Sequence, residues 1–242
     1  MIGSVRHRVI EKGALTATIT PRTITLNSGL AVTLRSARPD DAAALIAYVR
    51  AVLAESPHFI VQPDEFNFTE EQERQWIAEH SDGPGKLLLL AEAAGTVVGG
   101  LSFENGGHRR IAHRGSLGVS VRQAWRGQGI GAALIAALIA WAEASPLIEK
   151  IGLSVFADNA GAIRLYQWLG FVEEGRRSGE MKLGPGQYAD EVLMCRWTNR
   201  GDAASAADRA LHETALLSEA ALGEDWNRPE EDAAWSQLQP RK

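Results

Sequence analysis

The sequence predicts an α/β (α+β) fold in which a mixed, mostly antiparallel, twisted sheet carries helices on both faces. Short apolar or alternating runs, typical of strands, recur along the chain, and stretches with helical spacing lie between them. Turn residues join some neighbouring strand-like runs directly, which favours hairpins. The chain has 242 residues, 45% of them hydrophobic, which is enough for a full core.

The N-terminal part supplies a hairpin and two helices. The predicted strands are 16–26 and 30–35, and the predicted helices are 39–54 and 69–78. Asn27-Ser28-Gly29 forms the turn between the strands. Asp40 is placed to cap the first helix, and the sequence Thr69-Glu70-Glu71-Gln72 predicts a capping box at the start of the second.

The remaining elements complete the sheet. Strands are predicted at 86–91, 96–103, 114–121, 151–156 and 191–197, and a helical pattern fills 130–142. Gly95 turns the first of these strands into the second.

A glycine-rich segment stands between a predicted strand and a predicted helix. Residues 119–131 read V-S-V-R-Q-A-W-R-G-Q-G-I-G. Gly127, Gly129 and Gly131 let the backbone bend closely around an anion, and the unpaired N–H groups that open the helix point at it. Arg126 adds a charge-assisted contact. The segment therefore predicts a phosphate-binding loop.

Several ligand classes use glycine loops of this kind. No Gly-Lys-Ser or Gly-Lys-Thr follows the glycines, which disfavours a nucleoside triphosphate site. Gly127, Gly129 and Ala132 satisfy the dinucleotide pattern G-x-G-x-x-G/A, and Glu149 follows at about the expected distance. However, the loop lies in mid-chain and Glu149 precedes the next strand instead of ending it. A flexible connection or a simple helix start is the remaining alternative.

A second segment decides among these alternatives. Residues 159–171 read N-A-G-A-I-R-L-Y-Q-W-L-G-F, directly after the strand 151–156. Their apolar positions have helical spacing, and Gly170 is placed to end the helix. R-G-Q-G-I-G followed by N-x-x-A-x-x-L-Y-x-x-x-G-F resembles the motif pair of the GCN5-related N-acetyltransferase (GNAT) superfamily. The resemblance extends over about residues 30–197.

This resemblance implies acetyl-CoA as the cofactor, with CoA as product. The loop amides would hold the pyrophosphate, and strand 114–121 would pair through its backbone with the pantetheine arm. Such pairing needs a splayed central pair of strands, 114–121 and 151–156. The implied cofactor-binding residues are Val119, Val121, Arg126, Gly127, Gln128, Gly129, Ile130, Gly131 and Asn159.

The resemblance also implies direct acetyl transfer in a ternary complex. Tyr166 matches the family position that protonates the departing thiolate, and Asn159 matches one that hydrogen-bonds the cofactor. A half-buried aromatic and a helix cap are the alternative interpretations of these two residues. Both residues occur in register with the glycine loop, which favours the functional interpretation.

The group that takes the proton of the amine is harder to identify. Ser116 aligns with a position where many relatives carry an acid, and serine cannot act as a general base unaided. His113, Glu104 or water leading to solvent would take its place. We take His113 as the catalytic candidate because histidine titrates near neutrality.

The predicted acceptor is a small primary amine, such as an amino acid. In the family, the first two helices and their loop line the acceptor pocket; here that loop carries Asp64 and Glu65, which suit a cation or form a solvated face. Residues 186–194 resemble a branch that includes acetyltransferases of free amino acids and of protein N-termini. A protein N-terminus is therefore an alternative acceptor, and a non-catalytic acetyl-CoA-binding interaction protein is a third reading.

Composition favours a cytoplasmic enzyme. The formal net charge of −5 gives no support for nucleic-acid binding, no segment reaches transmembrane length, and residues 1–12 lack the apolar core of a signal peptide. The single cysteine, Cys195, cannot form an internal disulfide, which fits a reducing compartment. The histidines show no ligand spacing, so no metal site is predicted.

Three segments are predicted along the chain: an N-terminal extension with the first hairpin strand (1–29), an acetyltransferase domain (30–197), and a helix-prone acidic C-terminal extension (198–242). The extension sets Trp226 and Trp235 in an acidic strip that weakly resembles the tails of small bacterial antitoxins. The strip predicts docking on a protein partner, on its own domain or on the second subunit of a homodimer.

Overall fold

One eight-stranded sheet organises residues 17–26 and 28–198, the part of the chain that the computed structural model describes. Its strands are β1 (Arg22–Thr25), β2 (Ala31–Ser36), β3 (Lys86–Ala93), β4 (Thr96–Asn105), β5 (Arg114–Val121), β6 (Lys150–Phe156), β7 (Val172–Gly184) and β8 (Gln187–Trp197). They lie in the order β1-β2-β3-β4-β5-β6-β8-β7. Only β5 and β6 pair in parallel, so the predicted mixed, mostly antiparallel sheet is confirmed.

Helices cover both faces of the sheet, as predicted. They are α1 (Ala42–Glu55), α2 (Glu70–Asp82), α3 (Ile130–Glu143) and α4 (Ala160–Trp168). The larger core packs α3 and α4 against one face, and a second core packs α1 and α2 against the other. No helix of the described residues is long and apolar enough to cross a membrane.

Local sequence signals place the helix starts with one exception. Thr69 caps α2, accepting the Gln72 N–H while the Gln72 side chain accepts the Thr69 N–H, as the capping box predicts. Asp40 does not cap α1. Residues Pro39–Asp41 form a 3₁₀ turn, and Asp41 precedes the helix with its carboxylate bound to Arg35 at 2.7 Å. The residue at the start of α1 is therefore Asp41 and not Asp40, and the Asp41 carboxylate binds Arg35 and the Arg38 N–H instead of the N–H groups of α1.

The strands β1 and β7 differ most from the prediction, and β8 starts four residues before the predicted strand 191–197. The first is shorter than the alternation over 16–26 suggests, because β1 pairs with β2 over Arg22–Thr25 only; residues 16 and Asn27 lie outside the described residues. No sequence pattern predicts β7, an edge strand that is exposed along most of its length. An edge strand without a buried face has no need of apolar alternation.

The end of α4 is held by an arginine from β8. Gly170 follows the helix with φ +80°, the left-handed conformation that suits a helix-ending glycine. Arg196 donates from Nη1 to the Leu169 carbonyl at 2.9 Å, and its Nη2 lies 3.5 Å from Glu143 of α3. A side chain at position 170 would overlap Nη1 of Arg196. Glycine is therefore required here both for its backbone and for its lack of volume.

We expect Gly170→Ala to lower the free energy of unfolding by about 2.5–5 kcal/mol. A left-handed alanine costs about 1–2 kcal/mol, and displacing a charged hydrogen bond costs about 1.5–3 kcal/mol more. Chemical denaturation measures the change. Gly186→Ala is the matched control, because Gly186 has φ +72° with open space around it, and it should lose only the backbone share. Equal losses in both variants would contradict the role of Arg196.

Candidate active site

The two central parallel strands separate along their length. β5 and β6 pair at three positions, Arg114 with Lys150, Gly115 with Ile151, and Ser116 with Gly152. Beyond them, β5 continues along β4 and β6 continues along β8. A wedge-shaped opening, called the splay below, therefore lies between residues 117–121 and 153–156, with its narrow end at Ser116.

The backbone of β5 offers hydrogen-bonding groups to the splay. Arg122 donates its N–H to the Val98 carbonyl at 2.9 Å, so even-numbered residues of β5 direct their backbone groups to β4. Because backbone groups alternate along a strand, the odd-numbered residues face the splay; these are Leu117, Val119 and Val121. An extended ligand could pair with this edge as an added strand does.

The glycine loop lies at the wide end of the splay. Gly127 and Gly129 have φ +71° and +86°, and a Cβ on Gly127 would meet no atom within 4 Å. The first bond of α3 runs from the Ala133 N–H to the Gly129 carbonyl at 2.9 Å. The amides of 129–132 therefore have no carbonyl of a preceding turn to bind, which makes the start of α3 an anion site.

The side chains of this loop are partly occupied. Arg126 is exposed and donates from Nε to the Val121 carbonyl at 3.0 Å. Its two outer nitrogens have no partner among the described residues. Gln128 donates to the Ala124 carbonyl at 3.3 Å and binds Ser28 at 3.0 Å. Main-chain amides, more than these side chains, thus define the anion site.

Asn159 caps α4. Its Oδ1 accepts the Ala162 N–H at 3.2 Å, which is the cap interpretation of the sequence analysis. Its Nδ2 donates to no residue among those that the structure describes. The cap fixes the side chain at the end of β6 and leaves a donor for a ligand, so the two interpretations of Asn159 are compatible.

Tyr166 lies on the inner side of α4. It is 8% exposed, packs near Phe171, and burial raises its pKa to about 12. Its hydroxyl has no hydrogen-bond partner among the described residues. The hydroxyl oxygen is not fully buried, so it remains accessible to solvent or to a ligand. The preceding Leu165 lies against Gly131 of the loop, at 3.6 Å from where a Cβ would stand. The helix α4 therefore packs beside the start of α3, and Tyr166 lies on its buried side.

The opposite face of the splay has a polar, open floor. A Cβ on Gly118 would lie 3.4 Å from Ser102 Oγ, so these residues of neighbouring strands share a face. By strand alternation the same face carries Ser116 of β5 and Gly152 and Ser154 of β6. All are exposed or half-buried. We call this surface the acceptor trough: Ser102, Ser116, Gly118, Gly152 and Ser154.

The end of α1 is tied to both strands of the splay. Glu55 accepts from Arg122 Nε at 2.8 Å and from the Gln123 N–H at 2.6 Å, just past β5. Three residues later, His58 lies 3.2 Å from Asp158, just past β6, and contacts the ring of Phe156. The segment 55–58 thus bridges the wide end of the splay on the trough side. Sequence patterns gave no signal for either contact.

The candidate base residues lie at different places. Ser116 is on the floor of the trough, and Glu104 of β4 stands directly opposite it in register. His113 precedes β5, where its ring stacks on Trp197 with centroids 6.5 Å apart. This is the paired end of β5, so the structure does not bring His113 together with the glycine loop. A catalytic role for His113 stays a prediction.

The loop between α1 and α2 has an exposed acidic part. Asp64 and Glu65 are both exposed, and Glu65 accepts the Gln62 N–H at 2.9 Å within the loop itself. Phe59 packs against the core under α1 and α2, and Phe66 contacts Phe68. For the two acids, this arrangement agrees with the solvated face that the sequence left open.

Comparison with known proteins gives a consistent result. Residues 51–171 match the model of the acetyltransferase (GNAT) family. Over 124 residues the chain is 32% identical to the L-amino acid N-acetyltransferase AaaT of Escherichia coli (strain K12), covering 51% of this chain and 76% of that protein.

Solved structures share the fold. A GNAT-family acetyltransferase from Streptococcus pneumoniae superimposes with a TM-score of 0.67 at 27% identity, covering 69% of this chain and 99% of that one. The protein yncA of Salmonella typhimurium, solved with its cofactor acetyl-CoA, gives a TM-score of 0.62 at 22% identity over 71% of this chain and 96% of its own.

Proposed function

Because the chain belongs to the acetyltransferase (GNAT) family and is an acetyl-CoA-dependent acyltransferase, we propose that it acetylates the primary amine of a small molecule, an amino acid. The transfer is direct, within a ternary complex. The observation that carries this proposal is the splay, which opens to the glycine loop on one side and to the acceptor trough on the other. The amino-acid acceptor is supported by the likeness to a relative named for that activity.

The residues present fit the cofactor. The free amides at the start of α3 suit a pyrophosphate, and the left-handed Gly127 has open space around it for the ligand. The backbone of Val119 and the N–H of Val121 suit the amide groups of the pantetheine arm, since the Val121 carbonyl accepts from Arg126. Asn159 retains its Nδ2 donor. When bound, acetyl-CoA supplies an acetyl group activated as a thioester.

Each part of the site then has a defined task. The N–H groups that β5 directs into the splay orient the acetyl carbonyl and stabilise charge on its oxygen. Tyr166 holds its proton at neutral pH, because burial raises its pKa to about 12, and donates it to the leaving sulfur. The trough places the amine on the other face of β5 and β6. Proximity and orientation supply much of the rate.

The acceptor can be identified with matched pairs of amines. We expect thiol release from acetyl-CoA with free amino acids, at a kcat/KM at least about tenfold above that for peptides with the same N-terminal residue. Such a ratio corresponds to about 1.4 kcal/mol of discrimination. Mass spectrometry of the products checks the site of acetylation. A preference for the peptides would contradict the proposal and favour a protein N-terminus.

Location and partners are part of the same proposal. The buried Cys195 of β8 supports a reducing compartment, and we propose the cytoplasm. A homodimer stays a prediction. Trp226, Trp235 and the rest of the extension 199–242 lie outside the described residues, so their docking on a partner, and the division into three segments, also stay predictions.

A further inference from the structure

We propose that the carboxylate of Glu104 binds the ammonium group of the acceptor and takes its proton. The inference rests on the proposed function, since it concerns the amine that this site acetylates. Glu104 of β4 would act as the general base, a role that Ser116 of β5 cannot fill unaided.

The register of the sheet places Glu104 in one row with the narrow end of the splay. Glu104 of β4 is opposite Ser116 of β5, and Ser116 is opposite Gly152 of β6. The last of these pairs is also the last that joins β5 to β6. The row therefore crosses the sheet at the point where the splay begins.

All three residues of this row face the acceptor trough. Glu104 Oε2 lies 3.9 Å from His80 Nε2 of α2, which fixes the carboxylate on the α1 and α2 side of the sheet. Ser116 is on that side by alternation with Leu117, which is buried in the α3 core, and Gly152 by alternation with Ile151. Serine and glycine have small side chains, so neither residue of the row fills the space between Glu104 and the splay.

The same register explains the serine. Residues directly opposite each other in such a pair have Cα atoms about 5.5 Å apart, and like charges there are destabilising. An acid at position 116 would face Glu104 across the pair. A carboxylate on β4 and a neutral residue on β5 are thus complementary, and the departure of Ser116 from the family pattern need not remove the base.

A lysine and a histidine face Glu104. Lys86 of β3 lies 2.6 Å from Oε1, and His80 of α2 lies near Oε2. The Glu104 side chain is nevertheless 54% exposed, so a further cation can reach it from the trough. Lys86 competes with the acceptor ammonium for the Glu104 carboxylate. Glu104 should therefore strengthen amine binding, and Lys86 should weaken it.

The proton balance closes with the residues named. The acceptor ammonium loses one proton to Glu104, and the lone pair of the neutral amine forms the N–C bond. The C–S bond breaks, and the sulfur takes the proton of Tyr166. The nitrogen then gives its second proton to the Tyr166 phenolate through water. Glu104 releases its proton to solvent, so each turnover yields amide, thiol and one free proton.

The test compares Glu104→Gln and Lys86→Met with the wild-type protein over pH 6.5–9.5, using whichever amine the wild type acetylates. We expect Glu104→Gln to lower kcat/KM for the amine about 10²-fold near pH 7, with partial recovery as the pH rises and more amine is neutral. Lys86→Met should lower KM for the amine. Acetyl-CoA affinity, measured by calorimetry, should be unchanged in both. The charge-matched control is Glu79→Gln, on the exposed side of α2.

Three results would overturn the inference. One is a Glu104→Gln activity within about threefold of wild type, a ratio worth less than 1 kcal/mol. Another is a loss that is equal at every pH and accompanied by lost acetyl-CoA affinity, which would indicate a structural role. The third is a pH-dependent loss in His113→Gln but not in Glu104→Gln. A wild type that acetylates peptides instead of amino acids would refute the proposed acceptor while leaving this comparison valid.

Discussion

The Gly129→Glu variant is expected to bind acetyl-CoA at least about 100-fold more weakly than the wild-type protein, a loss of about 2.7 kcal/mol. Gly129 has φ +86° and is the residue from which α3 starts. A residue with a side chain costs about 1–2 kcal/mol in that conformation. The added carboxylate would also stand at the free amides that suit a phosphate, where it repels the ligand and satisfies the donors itself.

Two further variants separate these causes in a calorimetric titration. Gly129→Ala retains the backbone strain without the charge, so it should lose less affinity. Gly95→Glu adds the same charge at another left-handed glycine, with φ +77° and open space, in the turn between β3 and β4. Gly95→Glu should bind acetyl-CoA as the wild type does. Unaltered binding by Gly129→Glu would refute the assignment of the loop.

Elements with local signals could be predicted from the sequence. The Thr69 capping box and the helix-ending Gly170 mark boundaries within a few residues of the chain, and the structure confirms both. The glycine loop is equally local, because strand, loop and helix follow one another directly. For such features the sequence contains the interacting groups side by side.

Features that depend on pairing between distant segments could not be predicted. The edge strand β7 has no buried face to impose a pattern. The sequence predicts Asp40 as the cap of α1, but Asp41 precedes the helix and its carboxylate binds Arg35, which comes from the strand β2. The row of Glu104 and Ser116 exists only through the register of β4 and β5. A residue's neighbours across a sheet are set by topology, which single-sequence patterns do not contain.

The chemical step should depend on one of two similarly buried tyrosines. Tyr166 and Tyr48 are both buried, and burial raises the pKa of each to about 12. They lie on opposite faces of the sheet, Tyr166 in the α3 core and Tyr48 in the α1 core. Tyr48 donates its hydroxyl proton to the Ser120 carbonyl at 2.7 Å, whereas the Tyr166 hydroxyl has no described partner. A general acid must release its proton to a ligand, so its hydroxyl has to be without a protein acceptor, as the Tyr166 hydroxyl is among the described residues.

Tyr166→Phe is therefore expected to lower kcat about 10²-fold or more, with acetyl-CoA affinity within about threefold of wild type. Tyr48→Phe should lose about 1 kcal/mol of stability and keep kcat within a few-fold, because it removes a structural hydrogen bond. A phenol whose pKa is raised to about 12 keeps its proton below that pH, so wild-type kcat should show no alkaline fall from Tyr166 between pH 7 and 10.5. Steady-state kinetics with calorimetry measures both quantities. Equal kcat in Tyr166→Phe and wild type would mean that the thiolate leaves without an acid from α4, and the proton would then have to come from water in the splay.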